Sequence, residues 1–279
     1  MKLKKLISGI LATTAAFGCV GMLTACETAH PEVRITLSFE NKEYELDYTM
    51  YRKFAPATTT HFMKLVEEGY YDGLCVHNYA DNRMYTGAYS YNAEAEDDGG
   101  LVYKKYYDIV KDYSDFPISV YTEDDKATFN LCGEFADNDF KWDKGAPKTE
   151  TFGSLTMFYT DKGSNEDRVS VAHPDSEEKL ARNYQENSAT SQFFISLTDT
   201  EKTNTKYCTF ALLEADSVET LSSLKAAIEG YLADNEEGKE EVTVDVDEDD
   251  AFVGESNLTA KYTVLASPIV IKKIEITKT

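Results

Sequence analysis

Asn187-Ser188-Ala189-Thr190-Ser191-Gln192-Phe193-Phe194-Ile195-Ser196 fixes the fold class of this chain. From Gln192 to Leu197 it is dense in aromatic and β-branched side chains, which favour a pleated, half-buried strand. Leu155–Tyr159, Tyr207–Leu213 and Pro268–Ile276 share that composition. Val33-Arg34-Ile35-Thr36-Leu37-Ser38-Phe39 alternates apolar and polar throughout, the period-two pattern of a strand with one face inward. Glu40-Asn41-Lys42 reads as a turn, and Tyr44, Leu46 and Tyr48 alternate with Glu45 and Asp47, so the two runs form a hairpin. Leu74–Tyr79 and Met84–Tyr89 are two more strands, across a turn that contains Asp81 and Asn82.

Only two helices stand out. Ala55-Pro56 opens the first, since proline at the first helical position gives up an N–H that would lack a partner anyway. Phe62, Leu65 and Val66 follow at helical spacing, and Gly69 sits where a left-handed C-terminal residue is wanted. In the second, Asp216 with Glu219 suggests a capping box, and Val218, Leu221, Leu224 and Ile228 supply an apolar face. Many short strands and two helices predict a mainly β chain: a closed antiparallel barrel with helices at its ends. Residues 90–130, rich in Tyr and Asp, and the acidic residues 235–250 break the strand rhythm. Asp245, Asp247 and Asp249 have calcium-loop spacing, but Asp250 and Ser256 stand where that loop needs Gly and Glu, so a solvated acidic loop is expected there.

The chain has 279 residues, 28 Lys+Arg against 50 Asp+Glu, and a net charge of −22. That charge repels phosphate backbones, which argues against nucleic acid as a partner. Five cysteines without a C-x-x-C pair argue against a zinc site, and no metal or cofactor is expected. Cys75, Cys132 and Cys208 read as small buried hydrophobes. At the start, Lys2, Lys4 and Lys5 precede an uncharged apolar run from Leu6 to Leu23, the layout of an export signal. Leu23-Thr24-Ala25-Cys26 is similar to the lipobox of bacterial lipoprotein precursors, which implies cleavage after Ala25 and acylation of Cys26. Cleavage removes three Lys and no acid, moving the charge to −25. Residues 1–25 are then signal peptide and 26–32 a short tether. The body, 33–279, is expected to be a monomer held at the outer face of the membrane by its lipid.

Four motifs, taken together, resemble the cyclophilin family. Ala55-Pro56 through Phe62, Leu65 and Gly69-Tyr70-Tyr71-Asp72-Gly73 resembles A-P-x-T-x-x-N-F-x-x-L-x-x-x-G-Y-Y-D-G. Gly133-Glu134-Phe135 with Asp137-Asn138 resembles G-E-F-x-x-N, and Gly153-Ser154-Leu155-Thr156-Met157 resembles G-x-L-S-M. The opening stretch is similar to N-S-x-x-S-Q-F-F-I. The resemblance implies a closed eight-stranded antiparallel barrel capped by two helices, with insertions at about 90–130 and 235–262. It also implies peptidyl-prolyl cis-trans isomerase activity on proline-containing peptides or unfolded exported proteins. Such an enzyme must help break amide resonance, a barrier of about 18–20 kcal/mol, by binding the twisted amide better than the planar one.

The motifs also depart from the family. Where it reads F-H-R this chain has Val76-His77-Asn78, so Asn78 stands at the position of the catalytic arginine. Arg83 replaces a pocket aromatic, Met84 is retained, and Thr86 replaces a backbone-holding Gln. Phe158 and Tyr159 fall where the family has Ala-Asn, Lys202 or Thr203 where it often has an aromatic or Leu, and Tyr207 where many members have His. Gln192 and Phe194 match, and are the two residues expected to touch a ligand. Met84, Thr86, Phe158, Tyr159, Phe194 and Tyr207 are thus the expected substrate contacts, with Asn78, Arg83 and Gln192 the catalytic candidates. Asn donates weaker hydrogen bonds than a guanidinium, and loss of one well-placed donor costs roughly 10²–10³ in rate, so slow turnover is expected. Arg83, across a short turn, is either a substitute donor or a surface cation paired with an acid. His77 is a buried histidine or a catalytic one. The alternative to an enzyme is a non-catalytic peptide-binding module on the same scaffold.

Overall fold

A computed structural model describes residues 30–95, 99–118, 120–122, 124–136, 148–158, 168–172, 179–183, 188–200, 206–245 and 259–279. Cys26, Tyr159, Asp247 and Asp249 lie outside the described residues. The strands begin with β1 (Glu32–Phe39) and β2 (Lys42–Met50), joined by Glu40 and Asn41, both at positive φ. Positive φ at both central residues makes a turn whose twist matches that of paired strands. Helix α1 (Pro56–Glu67) follows, with Pro56 in its first turn and Gly69 at φ +66° just past its end. Next come β3 (Asn78–Ala80) and β4 (Arg83–Thr86), joined by Asp81 and Asn82, again both at positive φ.

The region 90–130 contains β5 (Tyr89–Tyr91), β6 (Leu101–Tyr103), the short α2 (Tyr106–Val110) and β7 (Val120–Thr122). Beyond it lie β8 (Leu131–Cys132), β9 (Leu155–Met157), β10 (Arg168–Ala172), β11 (Lys179–Asn183), β12 (Ser188–Ala189), β13 (Phe193–Ser196) and β14 (Cys208–Leu213). Helix α3 (Val218–Asp234), β15 (Lys239–Asp245), β16 (Thr259–Leu265) and β17 (Val270–Lys278) complete the chain.

Eight of these strands form one antiparallel sheet in the order β17-β1-β2-β14-β9-β13-β4-β3. The sheet curls into a half-barrel around Ile35, Leu46, Phe62, Phe193 and Phe210, all with no exposed surface. Its outer strands, β17 and β3, share no ladder; bonds between residues 73–76 and 269–271 tie those edges together instead, including Val76 N–H to Ile269 O at 2.8 Å. The eight antiparallel strands meet the expectation, and what is laddered is this half-barrel. Helix α1 covers one opening with Phe62, Leu65 and Val66 inward.

Two details of the second helix differ from the sequence reading. No side-chain cap forms: a 3₁₀ turn, Ala215–Ser217, precedes α3, and the Ser217 hydroxyl accepts the Asp47 N–H at 2.9 Å rather than capping the helix. Val218 is exposed, because the 3₁₀ turn rotates the first residue out of the apolar stripe, while Leu221, Leu224 and Ile228 are fully buried. A third helix, α2, was not expected. Cys75 and Cys208 are buried, and burial pushes the Cys75 thiol up to about 12, so both are inert hydrophobes, whereas Cys132 is half-buried.

A second, smaller apolar cluster joins the two stretches that broke the strand rhythm. Tyr89 and Leu101 of β5 and β6 pack with Val242, Val244 and Val264 of the β15–β16 hairpin, above Cys75 and Ala88. The hairpin lies over the edge strand β3, whose unpaired backbone groups would otherwise be a template for aggregation.

Candidate functional site

Register decides which side chains can meet. Strands β3, β4, β13, β9 and β14 place Asn78, Tyr85, Phe194, Thr156 and Thr209 in one transverse row, each facing the next. Directly opposed residues of antiparallel strands project to the same face. One step along, Arg83 of β4 faces Ser196 of β13. The alternation of β4 puts Arg83 and Tyr85 half-buried on this face and Met84 and Thr86 fully inside.

The rings on the face form a cluster. Phe194 meets Tyr85 at 5.2 Å and Tyr207 at 5.8 Å; Phe158 meets Tyr85 at 5.6 Å and lies nearly parallel to Tyr207 at 6.1 Å. Edge-on and offset arrangements of this kind suit the ring quadrupoles. Above Phe194 sits the Arg83 guanidinium, with Cζ 4.4 Å from the ring centroid and 6.0 Å from that of Tyr207. Between them these groups leave Phe194 with no exposed surface.

Arg83 is fixed by an acid the sequence reading did not single out. Its Nε and Nη2 donate to Glu150 Oε1 and Oε2 at 2.9 and 2.8 Å, and its Nη1 donates to the Tyr85 hydroxyl at 3.2 Å. Glu150 is itself 1% exposed, and its Oε1 accepts the Ser196 hydroxyl at 2.7 Å. Burial works against the charge of Arg83, but the bonds to Glu150 and Tyr85 outweigh it and hold the guanidinium above its usual range. A guanidinium has five N–H donors; these bonds engage three of them. The side chain keeps about a fifth of its surface, 21%, in solvent.

The other candidates fall elsewhere. Met84 belongs to the main core, and the Thr86 hydroxyl donates to Cys75 O at 2.8 Å, because strand alternation turns both away from Arg83. Gln192 is half-buried just before β13, where its carbonyl accepts the Phe158 N–H at 2.9 Å. Asn78 shares the face, but its Oδ1 accepts the Thr263 N–H of the overlying hairpin at 2.9 Å. His77 is buried between Tyr89 and Tyr262, 5.0 Å from each, and its Nδ1 has no hydrogen-bond partner. Burial lowers its pKa to about 3, so it is neutral and unsuited to accept a proton. Among the described residues no group of His, Cys, Asp and Glu could hold a metal.

Tyr85, Glu150 and Ser196 are the members that sequence reasoning missed. Tyr85 follows Arg83 at a spacing of two and could have been found from strand alternation. Ser196 ends the opening stretch. Glu150 carries no signal of its own, lying 67 residues from its partner.

The family described as cyclophilin type peptidyl-prolyl cis-trans isomerase/CLD matches residues 34–246. No curated protein matches the chain. Among solved structures, a Cryptosporidium parvum cyclophilin type peptidyl-prolyl cis-trans isomerase is similar at 16% identity and a TM-score of 0.44, over 90% of this chain and 99% of that one. The same protein in the presence of the dipeptide Ala-Pro gives 16% and 0.43, over 89% and 99%. The Mimivirus cyclophilin gives 14% and 0.44, over 91% and 92%.

Proposed function

The chain belongs to the cyclophilin-type peptidyl-prolyl isomerase family, and from that premise we propose that the Arg83 face catalyses rotation about X-Pro bonds. Arg83 is the cationic donor in place of the residue missing at Asn78. The observation that carries this reading is the guanidinium held 4.4 Å above Phe194 with two N–H groups beyond those bound to Glu150 and Tyr85. The half-buried rings of Phe158 and Tyr207 offer an apolar wall for a proline, and the free edge of Arg83 offers a charge-assisted donor to the amide as its resonance breaks. No nucleophile, base or metal is required. Turnover is slow, because Phe194 is covered and the peptide must settle beside Arg83 or displace it.

The client is a proline-containing segment of an exported protein, and the enzyme works from the outer face of the membrane, tethered through lipid on Cys26 and acting as a monomer. The test is NMR exchange spectroscopy of a short X-Pro peptide with the purified protein and its Arg83→Lys variant. Faster cis–trans exchange that drops in the variant supports the reading. A second reading, a peptide-binding module without catalysis, is favoured by the engagement of Asn78 with Thr263 and the complete burial of Phe194. Peptide-induced shifts without faster exchange would select it.

A further inference from the structure

We infer that Glu150 is the positioning residue of this site: it sets the angle and height of the Arg83 guanidinium over Phe194 and so decides which N–H groups face a bound amide. The inference rests on the isomerase reading above and deepens it.

A flexible arginine on a strand has many rotamers, and a donor that must match a twisted amide gains only from the fraction of time it is in place. Here every part of the holder is fixed in turn. Both carboxylate oxygens of Glu150 engage Arg83, through Nε and Nη2, so the guanidinium plane cannot rotate about its long axis without breaking a bond. The Ser196 hydroxyl, directly opposite Arg83 in the ladder, donates to Oε1 and fixes the carboxylate. The main chain of Glu150 is pinned as well: its carbonyl accepts both the N–H and the hydroxyl of Thr200, each at 3.0 Å. With Nε and Nη2 tied to Glu150 and Nη1 to the Tyr85 hydroxyl, the remaining N–H groups are one on each terminal nitrogen. These are the donors a bound amide would meet.

The pairing also has an electrostatic consequence. Arg83 and Glu150 together are neutral, so the site draws in no acidic peptide by net charge, and its donors act over hydrogen-bond distance only. A donor acting this way stabilises the twisted amide more than the planar one, so its loss should lower kcat and kcat/KM together and leave KM nearly unchanged.

The experiment compares the purified protein with Glu150→Gln and Ser196→Ala, by X-Pro exchange kinetics and by the ¹H–¹⁵N signal of Arg83 Nε–H, assigned through Arg83→Lys. Wild type is expected to show a resolved Nε–H signal, protected from exchange with water. In Glu150→Gln that signal should broaden or move toward the solvent-exposed arginines, with kcat at least tenfold lower and KM within about twofold. Ser196→Ala keeps the ion pair and should give an intermediate signal and an intermediate kcat; it serves if Glu150→Gln does not fold. If Nε–H in either folded variant is unchanged, or if kcat is unchanged while the signal is lost, Glu150 does not position the donor and the inference is overturned. Wild type that accelerates no exchange defeats the isomerase reading, and the Nε–H signal then still reports whether Glu150 holds Arg83.

Discussion

At the scale of single residues, the site joins a buried charge pair to a ring. Glu150 is almost wholly out of water, and an uncompensated buried charge costs about 3–5 kcal/mol. Arg83→Leu alone strands that carboxylate with only the Ser196 hydroxyl, so it should lower stability by about that amount in urea unfolding. Replacing both partners, Arg83→Leu with Glu150→Leu, should cost less than the single change, since apolar residues of similar volume often substitute for a buried pair at little cost. A double variant less stable than Arg83→Leu would show that the pair is not the main tie here. Asn78 supplies a second case. Its Oδ1 is the acceptor for Thr263 N–H, so Asn78→Arg, which restores the residue type of the family, removes that acceptor. The expected outcome is a loss of about 1–3 kcal/mol and no gain in X-Pro exchange; a tenfold gain would mean that the overlying hairpin yields to the new side chain.

At the scale of elements, α1 has an unusual start. Its N-cap is Ala55, which has no side chain able to cap, and Pro56 has no N–H to satisfy. The orphan N–H groups of Ala57 and Thr58 go instead to Glu134, at 3.0 and 2.8 Å, from the Gly133-Glu134-Phe135 motif. Burial raises the pKa of Glu134 to about 7, against the pull of the bonds from Thr58 and Ala57. The folded state therefore holds this proton to a higher pH than the unfolded chain does. The stability it contributes is complete below the unfolded value of about 4.5 and is lost as pH rises through about 7, a swing of about 3 kcal/mol. In urea unfolding, wild type compared with Glu134→Gln should lose this increment between pH 5 and pH 8; parallel pH profiles of the two proteins would refute it.

The same element shows what could be read in the sequence. Pro56 and Gly69 announced the ends of α1, and Asn41 and Asn82 announced the turns of two hairpins, because each acts within a few residues of its own position. Arg83, Phe158, Phe194 and Tyr207 were legible as candidates because the resemblance to the family's motifs placed them. Glu150 and the Asn78–Thr263 bond were not, because their partners lie 67 and 185 residues away and only the folded sheet brings them together. The capping box at Asp216 failed for a related reason: Ser217 answers to Asp47, 170 residues distant.

At the scale of the whole molecule, the proposed anchor has to hold a very acidic body near a surface that is itself anionic. From Cys26 to the first strand residue, Glu32, the chain has only five residues of tether, and a chain extends at most about 3.3–3.6 Å per residue, so a lipid on Cys26 would keep the body within about 20 Å of the bilayer. Glu32 is already laddered to Thr49 and Lys278, which leaves the sheet no slack to retreat. At physiological ionic strength charges are screened over about 8 Å, so repulsion from the anionic surface acts only on the part of the body that comes within that distance. Acyl chains, by contrast, gain about 0.8 kcal/mol for each CH₂ buried in the bilayer, a term that salt does not weaken. Attachment through lipid therefore predicts a protein that stays with membranes through a high-salt wash, incorporates labelled palmitate, and loses both properties in Cys26→Ser. Release of the wild type by salt alone would mean that it is held by charge, which a body of net charge −25 could manage only through a basic partner. Retention of Cys26→Ser through the same wash would point to the apolar run Leu6–Leu23 as an uncleaved anchor.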